Sequence, residues 1–113
     1  MITQHYLKTN ERTLYRAVKS EELDDIQQTG KFNLVLQSAE GKYFTSSAID
    51  ASSYAKKAYY GFGDPCYTMI STKISEELLS SPVRVDGHIP AYVLPESILK
   101  ILTPTIHNTM DFQ

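Results

Sequence analysis

Three consecutive hydroxyl residues, Thr45, Ser46 and Ser47, stand where a short strand-like run hands over to an alanine-rich helical run. A junction of that kind brings side-chain hydroxyls beside the free N–H groups of a helix start, a good place to meet a ligand. The same serines are ordinary helix caps, since Ser47 followed by Asp50 is a shortened capping box. Arg16 is the second group able to do chemistry. Its planar fork can grip an oxyanion bidentately, and its structural alternative is an ion pair with Glu21, Glu22 or Asp24. Later in the chain, His88, Tyr92 and Glu96 place an imidazole, a phenol and a carboxylate on or beside one strand. The histidines His5, His88 and His107 have no metal-ligand spacing, so no zinc site is expected.

Composition narrows the classes. The chain has 113 residues, 42% of them hydrophobic, which suits one globular domain, 1–113, with a single core. Residues 1–12 read as a lead-in and 104–113 as a tail or sheet edge. A formal net charge of −2 makes nucleic acid an unfavoured partner. No apolar run is long enough to span a membrane, and no secretory signal is visible, so a cytoplasmic location is expected. The single Cys66 has no internal disulfide partner. Eight tyrosines without a tryptophan favour half-wet sites and pockets.

The elements that must position these groups are read from periodicity. Thr13 to Val18 alternates as a first strand, and Ser20 caps a helix over 20–29 that ends at Gly30. Phe32, Leu34 and Leu36 alternate through a strand or extended loop. A strand at 42–45 leads into a helix over 48–60, where Tyr54 lies on the apolar face as a core residue. Cys66 to Lys73 alternates most clearly of all. Ser75 caps a single helical turn, Val83-Arg84-Val85 is a short extended segment, and strands follow at 88–94 and 98–103. Leu14, Leu23, Ile26, Phe44, Ala51, Ala55, Ile70, Val93 and Ile101 form the expected core. Helices gathered early and strands late predict an α+β domain with a mainly antiparallel split sheet.

Leu14-Tyr15-Arg16-Ala17-Val18, then Glu40-Gly41-Lys42-Tyr43-Phe44-Thr45-Ser46-Ser47 before an alanine-rich helix, and Val85 to Pro95 late in the chain, carry a resemblance. Over residues 13 to 103 the chain is similar to small bacterial ADP-ribosyltransferase-fold domains of the polymorphic-toxin type. The resemblance implies that NAD is bound as a substrate, with Arg16 on its phosphate or ribose. It implies that Tyr43, Phe44, Thr45, Ser46 and Ser47 support that arginine and the nicotinamide side. A late-strand glutamate would stabilise the oxocarbenium-like transition state. Here the strand from His88 to Leu94 has no acidic residue, and Glu96 lies just past Pro95. Glu96, with Tyr92 and His88 as competitors, is therefore the expected catalytic set. A macromolecular target, a nucleotide and a cognate immunity protein are the implied partners, and delivery to a target cell is the implied route of a toxin.

Two other classes stay open at this level. One is an ADP-ribosyltransferase-like module that binds without turnover. The other is a small ribonuclease-type toxin in which Arg16, Lys42, His88 and Tyr92 hold phosphate and move protons.

Overall fold

A computed structural model describes residues 10–34, 41–62, 66–85 and 89–111. Strand β1 (Glu11–Val18) is followed by helix α1 (Ser20–Thr29), strand β2 (Lys42–Phe44) and helix α2 (Ala48–Phe62). Then come β3 (Cys66–Ser75), a 3-10 turn (Glu76–Leu78), β4 (Val83–Val85), β5 (Ile89–Leu94), helix α3 (Glu96–Leu99) and β6 (Thr105–Asp111). The class is α+β, as expected. Among the described residues the strands make two three-stranded antiparallel sheets, ordered β1-β3-β6 and β2-β5-β4. Among the described residues one isolated backbone bridge joins the sheets. There Tyr15 and Thr45 exchange both backbone hydrogen bonds, at 2.7 and 2.8 Å.

Local sequence explains most of these elements. Period-two alternation puts Leu14 and Val18 of β1 into the core and leaves Arg12 and Arg16 on that same face. Helix α1 carries Glu21 and Glu22 in its first turn, favourable against the helix dipole, and closes on Gly30 in the left-handed region. The Gly30 N–H reaches the Ile26 carbonyl at 2.8 Å. Its cap position is Lys19, without a side-chain bond, and Ser20 lies inside the helix instead of capping it. Helix α2 starts as expected: Ser47 Oγ accepts the Asp50 N–H at 3.2 Å. The main core joins Leu14, Ile26, Phe44, Ile70, Leu94 and Leu99. Phe32 meets Phe44 edge-on, with centroids 5.1 Å apart, a favourable aromatic geometry. Ala51 and Ala55 are buried outside that cluster, on a helix that packs against β1 and β3.

Several expectations fail. Residues 98–103 do not form a strand, because the Pro95 carbonyl accepts the N–H groups of Ile98 and Leu99 and starts a helical turn. Leu99 and Leu102, three apart, then face inward and Ile101 is exposed. Leu23 and Val93 are only partly buried, and Tyr54 is exposed where a core residue was expected. Glu11 and Arg12, read as lead-in, open β1, while the segment read as a tail or sheet edge takes the second alternative, as edge strand β6. Of the two alternatives for the segment from Phe32, the strand is not formed at Phe32 to Leu34 and the loop remains, and the continuation to Leu36 lies outside the described residues. Among the described residues no helix is long and apolar enough to cross a membrane.

Candidate functional site

The seam between the two sheets holds the polar chemistry. Arg16 Nε donates to Glu22 Oε2 and Arg16 Nη2 to Oε1, both at 2.8 Å, a bidentate pair between β1 and α1. Arg16 Nη1 donates to the Tyr43 carbonyl at 3.0 Å. Its guanidinium carbon lies 6.0 Å from the centroid of the Phe44 ring, at the limit of a cation–π contact. Lys42 Nζ comes within 3.3 Å of Glu22 Oε2 from the strand below. Lys42 is only 7% exposed, and the side chains of Arg16 and Glu22 are 22% and 19% exposed. Two cations therefore share one carboxylate in a largely desolvated place.

That sharing explains the ionisation of the pair. Burial alone would raise the Glu22 carboxyl, but the Arg16 hydrogen bonds and the charges of Arg16 and Lys42 outweigh it. The carboxyl is held below its ordinary range. Burial also disfavours the Lys42 ammonium, Glu22 restores part of that loss, and Arg16 adds repulsion. The net result lies below the usual lysine value.

The hydroxyl junction is divided in its roles. Thr45 is buried and its Oγ1 donates to the Ser47 carbonyl at 2.7 Å. Ser47 caps α2. Ser46 is exposed between them. Two of the three hydroxyls thus hold the turn, and Ser46 is the one presented to solvent. Tyr43 is exposed, whereas Phe44 is fully buried beneath the Arg16 guanidinium. The antiparallel bridge at Tyr15 and Thr45 sets the direction of approach. Residues before Tyr15 lead toward the helix start, and residues after it run beside Tyr43 and Lys42.

The late-strand groups are spread out. Tyr92 stands opposite Phe44 in the β2–β5 register, and its hydroxyl accepts from Arg12 Nη1 at 2.8 Å. Glu96 is exposed in the first turn of α3, two residues past Leu94, the backbone partner of Lys42. Gly41 makes that approach close. Its φ is 130°, and a Cβ there would overlap the Leu94 carbonyl. His88 lies outside the described residues.

Two features escape a reading of the sequence. The burial of Lys42 against Glu22 is one, because a lysine after Gly41 looks like a turn residue. Its only trace is the alternation Lys42, Phe44, which puts both on one face. The other is Ser71 on β3, whose Oγ lies 2.7 Å from Nε2 of His107 on β6. No group of three or more metal-ligating side chains occurs among the described residues. No family model matches this sequence, and comparison with curated proteins and with solved structures returns no match.

Proposed function

We propose that the domain binds NAD along the seam between its sheets, as an ADP-ribosyltransferase-like domain would, and transfers ADP-ribose to a macromolecular target. The observation that carries this reading is the fixed presentation of Arg16. Glu22 and the Tyr43 carbonyl occupy three of its five N–H donors and hold the fork, leaving two for ribose or phosphate oxygens. Preorganisation of that kind lowers the cost of ordering a side chain on binding. Exposed Ser46 and Tyr43 at the same junction supply a hydroxyl and a ring. The split into two sheets that touch at Tyr15 and Thr45 accords with the architecture implied by the sequence resemblance.

Transfer breaks the glycosidic bond to nicotinamide and forms a new one to a target nucleophile, through a transition state with positive charge on the sugar. In this reading Glu96, two residues past the backbone partner of Lys42, is the carboxylate assigned to face that charge. A toxin or effector role, with an immunity protein as counterpart, belongs to the same reading.

A second reading, binding without turnover, is favoured by one observation. Among the described residues nothing holds the exposed Glu96 carboxylate in place, and catalysis depends on preorganised charge. Incubation with NAD separates the two. Transfer predicts free nicotinamide, and a loss of about 10²-fold or more in its rate of release in Glu96→Gln. Binding alone predicts a raised melting temperature and no nicotinamide. Neither effect would end the NAD reading.

A further inference from the structure

Two arginines share the core-side face of β1, Arg12 and Arg16, four residues and therefore about 13 Å apart along the strand. Each is placed the same way over the neighbouring sheet. Arg16 lies above the Phe44 ring and Arg12 above the Tyr92 ring, with 6.0 Å from guanidinium carbon to centroid in both cases. Phe44 and Tyr92 are themselves cross-strand partners. Their counter-ions differ. Arg16 is gripped bidentately by a mostly buried Glu22, whereas Arg12 meets Glu76 through a single 3.0 Å contact with both side chains about two-fifths exposed, at 39% and 42%. An exposed monodentate ion pair contributes little and is readily exchanged. The antiparallel bridge also puts Arg12 on the side of Tyr15 that leads toward the Ser46 and Ser47 helix start.

We infer that Arg12 is a phosphate-binding residue of this seam, taking a nucleotide's phosphate in exchange for Glu76 while Tyr92 holds its other arm. Nη1 stays on the Tyr92 hydroxyl, which fixes the guanidinium plane. Nη2 releases the Glu76 carboxylate and, with the N–H donors not used by Tyr92, receives phosphate oxygens in a fork geometry. Arg16, whose fork is already held, then serves the ribose part of the same ligand, which a dinucleotide is long enough to reach. Glu76 acts as an internal competitor for the anion. This inference rests on the NAD reading only for the identity of the ligand, because the exchange itself requires no more than a phosphate.

The test uses the intact chain, with inorganic pyrophosphate and NAD as separate titrants in low-salt buffer. Arg12→Ala is expected to weaken both by tenfold or more while its melting temperature stays near that of the wild type. Glu76→Gln is expected to tighten both, since the competing charge is gone. Arg12→Lys, which keeps the charge and loses the fork, should fall between. Pyrophosphate binding without NAD binding would uphold the Arg12 site and refute the NAD reading. Undiminished pyrophosphate binding in folded Arg12→Ala, or no pyrophosphate binding by the wild type, would overturn the Arg12 site.

Discussion

The two ends of β1 carry the same residue type in opposite circumstances. At one end Arg16 sits in a desolvated cluster with Glu22 and Lys42, tied by two 2.8 Å bonds to one carboxylate. At the other, Arg12 keeps a single exposed contact to Glu76 and a bond to the Tyr92 hydroxyl. The difference is a division of labour set by burial. A buried pair loses much when one partner is removed, because the remaining charge is stranded away from water. An exposed pair loses almost nothing, because water replaces the partner. The end that builds the fold is therefore the end least free to exchange its ligand.

The sharpest way to break this comparison is to remove the two carboxylates in turn. Glu22→Ala should cost about 3 kcal/mol in a urea titration, the lower part of the range for a broken buried pair, since Arg16 retains some solvent contact. Glu76→Ala should cost well under 1 kcal/mol, as ~0.5 kcal/mol is usual for an exposed pair. Equal costs at both sites would erase the distinction between the two ends.

Gly41→Ala tests the frame beneath the Arg16 end. A side chain at φ 130° is strained, and its Cβ would press on the Leu94 carbonyl. A loss of about 2 kcal/mol or more is expected from the backbone conformation and the overlap together. The measurement is again the unfolding free energy, and wild-type stability in this variant would mean that β2 and β5 do not approach as described.

A smaller effect should appear with pH. The folded Glu22 carboxyl titrates below its unfolded value of about 4.3, so its stabilisation is complete above that pH. It is lost as the pH falls through the lower folded value. Lys42 works in the opposite sense: its ammonium titrates below the ordinary lysine value, so the charged form carries a penalty. That penalty is relieved as the pH rises from the folded value toward the unfolded one. Unfolding midpoints followed across pH should show an acid limb that flattens in Glu22→Gln. An unchanged limb in that variant would assign the acid sensitivity to other carboxylates.

Much of the frame was legible in the residues and some was not, for physical reasons. β1, α1, β3 and α2 announce themselves by alternation, by Gly30 and by the Ser47 cap, all of which act within a few residues. The run Ile98-Leu99-Lys100-Ile101-Leu102 is apolar enough to read as a strand. What settles it is Pro95 opening a helical turn that turns Leu99 and Leu102 inward. β6 was obscure because an edge strand pairs on one side only, and its register against β3 is irregular. At the site, Glu22 was among the nearby carboxylates, with Glu21 and Asp24, that the sequence offered as partners of Arg16. The recruitment of Lys42 and the bond from Arg12 to Tyr92 were not, because both depend on sheets brought together from distant parts of the chain.

Calorimetric titration of NAD into the intact chain tests the central claim most directly. A ligand site along the seam predicts saturable binding at one site per chain, weakened when Arg16 is replaced by lysine, which keeps the charge but not the fork. An absence of binding heat, together with an unshifted melting temperature in excess NAD, would contradict it and leave the Arg16 cluster as part of the core.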